Sequence, residues 1–529
     1  MKKGFIKAGV LLLLFLAALG GTAAFINRDK TVGTREMEEA SLPVMYMEVS
    51  DILVNPMYGY AREMEEQYMR DSLMPLPTGR ELTMVLAPME SKVKEVNYRV
   101  STADGTTVVE IGKINELKED DEYLRANFQL ETPILMNQEY TLRFDVTLKD
   151  GNTYYYYTRI VQRAGINTTQ YLEFVEDFYQ NCINKERASE VSSYLEPDET
   201  ETNSTYTALN IHSSLERITW GEMEPKLEEK AVPIIKDINE TTCSIVLKYV
   251  ISDQEEDQEA DYYNVTDFYR LRYMQSRVRL LDFERETQEL FDGENTELTS
   301  NGINLGVVSK TVQYQSNKNA DIVAFVQEGE LWSYNRSANK TTRIFSFRDG
   351  TLDVRENLQQ HGIKIVRVEE SGDIDFVVYG YMSRDIHEGE VGIAVYHYGA
   401  EFNQVEEQLF IPMKSSYEYI KSDMEMLSYV TKDDILYLLL EDNLYQVDIK
   451  GKTYQLIQEN LQPDCYVVSK SQASIAWMNE MTENASTSIT VMSLEQGESY
   501  VIQAPSGQKI KALGFINEDM VYGLANDGD

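Results

Sequence analysis

Short runs in which apolar and polar residues alternate cover most of the chain, and helical periods are few. From Leu42 the alternation is strand-like: Val44, Tyr46 and Glu48 share one face, while Met45, Met47 and Val49 share the other, as a period of two demands. Further alternating runs lie at 82–86, 96–100, 107–111, 123–130 and 140–148. The turn sequences Ala103-Asp104-Gly105 and Lys149-Asp150-Gly151 stand among them. Short strands bounded by turn signals, with no helical pattern between them, predict an antiparallel, Ig-like β-sandwich over 42–163. The four consecutive tyrosines at 154–157 fall on its last strand and put rings on both faces. Packing in a half-buried strand is the expected role of such rings, and a sugar-stacking surface is the functional alternative.

Near Ala164 the period changes. Thr168 and Thr169 are placed to cap a helix whose apolar positions Tyr171, Phe174, Val175, Phe178, Cys182 and Ile183 recur at helical spacing. A polar stretch at 190–205 reads as a loop. Strands return at 244–251, 267–274 and 277–283, and the acidic segment 253–261 joins the first two. One helix with a curved meander predicts an α+β domain over 164–300. Its architecture is similar to that of cystatin-type and nuclear-transport-factor-type folds, a likeness that brings no function with it. The acidic segment lacks the spacing and central Gly of a calcium loop, so a solvated hairpin tip is expected there.

The C-terminal part is a repeat. An apolar strand from Asp321, a tight turn at Gly329, a strand carrying Leu331-Trp332-Ser333-Tyr334, a polar turn and an outgoing strand recur from Asp373, Asp434 and Ser474, and a further copy begins at Asp519. The copies start about 40–60 residues apart, the scale of one four-stranded propeller blade. The segment 320–529 resembles the broad propeller group that includes TolB-like and dipeptidyl-peptidase-type repeats, which implies a β-propeller over 301–529 and no single function. An unpaired sheet edge at the end of the last copy is a liability that proteins avoid. The pattern therefore leads us to expect that the blades continue beyond residue 529 in a longer polypeptide.

Ahead of these β patterns lies an uncharged apolar run at 8–26, preceded by Lys2, Lys3 and Lys7 and followed by Arg28. It is about long enough to cross a bilayer of ~30 Å as a helix. A signal-anchor is favoured over a cleaved signal peptide, because Phe25 and Ile26 carry the run past the small residues Gly21-Thr22-Ala23-Ala24. The expected order is a cytoplasmic tail (1–7), a membrane span (8–26), a charged spacer (27–41) and an extracytoplasmic remainder. No Cys follows the run, so a lipid-modified Cys anchor is excluded there.

Composition narrows the partners. The 529 residues carry a net charge of −39, which disfavours nucleic acid and anionic lipid surfaces. The three cysteines Cys182, Cys243 and Cys465 sit among apolar neighbours and are expected as buried thiols, with one disulfide as the alternative. Such sparing use of Cys outside the cytosol points to a bacterial envelope. No catalytic, cofactor-binding or metal-ligating set is assigned. The four histidines, His212, His361, His387 and His397, form no His-x-x-x-His pair, and no Gly-x-Ser-x-Gly or phosphate-binding loop is present. Asp385 and His387-Glu388 would need a distant residue to hold a metal, and an exposed loop histidine is expected. Asp373 and Asp375 read as turn acids.

These patterns lead us to expect a mainly β, membrane-anchored extracytoplasmic binding or scaffold protein that recognises an envelope protein or a surface polysaccharide and needs no cofactor. Two alternatives are the N-terminal part of an anchored hydrolase, with its catalytic domain downstream, and an extracytoplasmic regulator of a sensor kinase.

Overall fold

The computed structural model describes residues 37–526, apart from 88–92, 120–122, 199–204, 229, 255–258, 294–301, 309–310, 349, 351–353, 357 and 483–485. The apolar run at 8–26 lies outside the described residues, among which no helix is long and apolar enough to cross a membrane. The chain is mainly β and is built from successive small sheets.

Two five-stranded sheets form the first unit. One orders Ile52–Tyr58, Val44–Val49, Glu81–Leu86, Leu124–Gln129 and Lys118–Glu119. The other orders Leu73–Pro75, Thr153–Val161, Glu139–Leu148, Val93–Thr102 and Val108–Ile114. Their inward residues, among them Met45, Met84, Val96, Leu142 and Phe144, are buried. Leu73–Pro75 pairs in parallel with Thr153–Val161 at the sheet edge, an addition that alternation alone does not reveal.

The helix Thr168–Ile183 buries Tyr171, Leu172, Val175, Phe178 and Cys182 against a sheet whose long strands are Thr242–Asp253, Asp261–Met274 and Arg277–Glu289. The capping expectation needs correction. Asn167 holds the N-cap position without a side-chain cap and donates to the Gly165 carbonyl instead, while the Thr169 hydroxyl pairs with that of Ser50. The stretch read as a loop from 190 begins inside a 3-10 helix, Lys185–Tyr194. The core of the sandwich continues into this second unit without a break, from Met45 and Phe144 through Phe178 to Tyr269 and Phe283.

Four antiparallel four-stranded meanders follow, each in chain order, and then a hairpin of Gln508–Ile516 and Asp519–Asn526. They stack face to face like propeller blades. Ile344 and Phe345 of the first blade pack on Phe376 and Tyr396 of the second. Val377 and Ile393 of the second share a core with Leu436 and Leu438 of the third. Leu439 meets Trp477 of the fourth, and Val491 meets Ile510 of the hairpin. The outermost strands Thr453–Gln458 and Glu498–Gln503 are largely exposed. The innermost strand of each blade went unread in the sequence, because segments such as Ser428–Val430 are short and carry no alternation. So did the helix Tyr417–Met426, which inserts between the second and third blades on Ile420 and Met424.

Residues 37–41 are not a free spacer. The Ser41 N–H and Leu42 N–H donate to Glu388 Oε1 at 2.7 and 2.8 Å, and the Ser41 hydroxyl donates to Oε2 at 2.6 Å. Arg355 donates to the Leu42 carbonyl at 2.6 Å, and Met37 packs against the core of the first two blades. Gly389 makes this approach possible: a Cβ there would stand 2.8 Å from Leu42 Cδ1 and 2.9 Å from the Gly59 carbonyl.

Candidate functional site at the three-way junction

The strand Ile52–Tyr58 leads the chain into a junction where sandwich, helix-bearing sheet and blades meet. Asn55 is fully buried with a positive φ of 54°, a conformation that Asn tolerates better than most residues. Its N–H donates to the Pro233 carbonyl at 2.8 Å and its Oδ1 accepts from the Ile235 N–H at 2.8 Å, pinning the sandwich to the second unit. Tyr60 exchanges two backbone hydrogen bonds with Tyr155, both of 2.9 Å. Its ring lies edge-on to Tyr157 at 5.7 Å and Tyr381 at 5.3 Å, and the Tyr381 hydroxyl donates to the Gly59 carbonyl at 2.8 Å. The blades hold the second unit through Glu328, whose Oε2 accepts from Asn264 and from Gln359, each at 2.7 Å.

These contacts enclose a cavity of about 140 Å³. Tyr58, Tyr60, Tyr157, Met57 and Leu358 supply apolar wall, and Gln359, Gln360 and Asp71 supply polar wall. Lys236 and Lys248 line it from the neighbouring antiparallel strands Ile234–Ile238 and Thr242–Asp253. Alternation puts Lys248 on the sheet face opposite Leu247 and Tyr249, which belong to the helix-side core. Lys236 Nζ donates to the Asp71 backbone carbonyl at 2.6 Å, and Gln360 donates to Asp71 Oδ2 at 3.2 Å. Lys248 has no hydrogen-bond or ion-pair partner among the described residues. Burial pushes both ammonium groups below the usual lysine range. For Lys248 the charge on Lys236 adds to that effect, while Asp71, Glu418 and Glu328 oppose it. A third lysine on the wall, Lys230, is committed to Glu176 at 3.0 Å, which holds its pKa up.

A second buried charge set sits in the core of the helix-bearing unit. Arg285 Nε donates to Asp267 Oδ1 at 2.7 Å, and its other terminal nitrogens donate to Asp267 Oδ2 at 2.8 Å and to the Ile218 carbonyl at 2.7 Å. The Tyr249 and Tyr269 hydroxyls donate to Asp267 Oδ2 at 3.0 Å each, and the guanidinium lies over Trp220 at 4.6 Å. Both charges are fully buried and each guanidinium nitrogen and carboxylate oxygen has a partner, so this set fixes the fold of the unit.

The residues singled out from sequence are placed as follows. His387 is not a free loop side chain: it stacks on Phe410 at 3.8 Å and its Nε2 meets Glu407 at 3.0 Å, while Glu388 is taken up by Ser41 and Leu42. Asp375 pairs with Arg367 at 2.8 Å and with His397 Nδ1 at 2.7 Å, and Asp373 accepts from the Ala400 N–H at 2.8 Å. Of the four tyrosines, Tyr156 and Tyr157 are buried and Tyr154 and Tyr155 half-buried, which is strand packing. The three cysteines are buried and free. Asp253 and Asp261 pair across the hairpin whose tip holds the acidic segment, with 255–258 outside the described residues. No group of three or more His, Cys, Asp or Glu suited to a metal occurs among the described residues. The junction lysines were missed, although Lys248 carries a signal, a lone charge in the apolar run 245–251.

No protein-family model matches the chain, and no curated protein matches it. Solved structures match it only at low similarity. The tricorn protease matches at 10% identity over 83% of this chain and 41% of its own, with a TM-score of 0.22. An extracellular domain from B. thetaiotaomicron, assigned to a one component system, matches at 10% identity over 54% and 37%, with a TM-score of 0.20. Dipeptidyl peptidase 4 from Porphyromonas gingivalis matches at 11% identity over 54% and 49%, with a TM-score of 0.18. The chain thus spans less than half the length of each.

Proposed function

We propose that this chain is a membrane-anchored extracytoplasmic binding protein of a bacterial envelope, attached through residues 8–26. It presents its β units as one platform to an envelope protein or a surface polysaccharide. The observation that carries this reading is the junction itself. Tyr60, Met64, Met69 and Tyr157 of the sandwich share a core with the second and third blades, so the units present a fixed composite surface. The clamp of residues 37–42 on Glu388 fits the same purpose. At ~3.5 Å per residue the intervening residues 27–36 reach at most about 35 Å, which ties the second blade close to the membrane.

The test is affinity capture from the native envelope with the full chain as bait, alongside a panel of envelope glycans. Enrichment of one defined protein or polysaccharide, without turnover of peptide or ester substrates, is the expected result. A Ser–His–Asp set in a native polypeptide extending past residue 529 would favour the hydrolase reading. Capture of a sensor kinase as the sole partner would favour the regulatory one.

A further inference from the structure

The junction cavity has a chemistry that a purely structural seam does not need. In a chain with a net charge of −39, two lysines with no carboxylate ion pair among the described residues line one cavity. Lys236 spends one donor on a backbone carbonyl. Lys248 has no hydrogen-bond or ion-pair partner among the described residues, and an unpaired, half-buried ammonium is costly. The rest of the wall is mixed: Met57, Tyr58, Tyr60, Tyr157 and Leu358 are apolar or aromatic, and Asp71, Ser72, Gln359, Gln360 and Glu418 are polar. The volume, about 140 Å³, is close to that of a cavity of ~150 Å³ known to take benzene. Ligand sites that combine apolar wall with convergent polar groups favour domain interfaces.

We propose that the junction cavity binds a small monocarboxylate with an apolar body, its carboxylate between Lys236 and Lys248 and its body against Tyr58, Tyr60 and Tyr157. The carboxylate supplies a close counter-charge to Lys248, which has no ion pair among the described residues, in partly desolvated surroundings that strengthen the attraction. The depressed proton affinity of both lysines fits such surroundings. Asp71 and Glu418 stand on the cavity wall as well and set a limit: a dianion's second charge would meet them, so a single charge is preferred. Because the wall draws on all three units, an occupant stabilises the junction as a whole. The proposal does not rest on the platform reading, and its test can fail or succeed whatever the outcome for that reading.

The test uses the full-length chain in detergent, titrated with benzoate and with its neutral isostere benzamide, and followed by calorimetry and thermal unfolding. Saturable binding of benzoate with a rise in Tm, and at least tenfold weaker binding of benzamide, is expected. Lys248→Met should unfold at a higher temperature than the parent without ligand and lose benzoate affinity at least tenfold, and Lys236→Gln should weaken it as well. Equal binding of benzoate and benzamide overturns the proposal, as does full benzoate affinity in folded Lys248→Met. Inorganic phosphate binding as tightly as benzoate overturns it too. The comparison of the two ligands on the parent chain decides the matter even where a variant does not fold.

Discussion

Asp267 shows how much one side chain can hold. It accepts from Arg285 twice and from two tyrosine hydroxyls at full burial, so its loss strands a guanidinium in the core. Asp267→Ala is expected to cost about 3–5 kcal/mol in denaturant unfolding, and replacing Asp267 and Arg285 together by Leu and Met is expected to cost less than the single change. Two other residues set opposing pH responses in the blades. Burial pushes the His361 imidazole down to about 4, partly offset by its hydrogen bond with the Gly329 carbonyl. The unfolded chain therefore takes a proton between pH 6.5 and 4 that the fold refuses, and stability falls as the pH drops through that window. Burial pushes Asp423 up to about 6, against the Glu441 N–H that its carboxylate accepts at 2.9 Å. The fold takes this proton before the unfolded chain does, so stability rises as the pH drops from about 6 towards 4. His361→Gln should reduce the slope of stability against pH between 4 and 6, and Asp423→Asn should steepen it, each by at most ~1.4 kcal/mol per pH unit. Unchanged slopes in both variants would refute the assignment.

Among the elements, the segment 37–42 is the one whose behaviour departs most from its sequence. Its charged, aperiodic composition reads as spacer, yet three hydrogen bonds to a single carboxylate fasten it to the turn Asp385–His387 and its neighbours. The bonds are charge-assisted but largely exposed, so Glu388→Ala should cost about 1–3 kcal/mol locally rather than globally. Hydrogen exchange at residues 37–42 should speed up while the blade cores keep their protection. Between the second and third blades, Arg367 pairs with Asp434 and Asp375, and Lys450 meets Asp434 at 2.5 Å. Of these pairs Arg367–Asp434 joins the two blades, the other two lying within one blade each, whereas the apolar contacts between the sheets carry the packing.

For the whole molecule the decisive feature is continuity. One apolar core runs from the sandwich into the helix-bearing unit, and another runs from the sandwich into the blades. Tyr60 stands at the second crossing, 95% buried between Tyr157 and Tyr381. Tyr60→Ala is expected to cost about 3–5 kcal/mol, and its effect should fall on the coupling between units. Calorimetry should resolve the blades and the N-terminal units as separate transitions in the variant where the parent shows more overlap. A single, uniformly shifted transition would mean that the units are coupled mainly through other contacts.

Strand and helix positions were largely legible, because alternation and helical spacing report which side of a local element meets a core. The helix Thr168–Ile183 and the apolar central strands of the blades could be read this way, and so could the burial of the three cysteines. The charge of −39 and the absence of a recognisable catalytic motif were equally plain in the composition. Sequence periodicity has no bearing on which surfaces meet at long range. Nothing in the local pattern brings Ser41 to Glu388, Asn55 to Pro233 or Tyr60 to Tyr381, since these contacts join segments as much as 347 residues apart. The junction cavity exists only because three units close around it. Lys248 could be seen in sequence as an odd charge in an apolar strand, but only the tertiary structure places it on one cavity wall with Lys236 and with no ion pair among the described residues, where electrostatics turns an oddity into a candidate site.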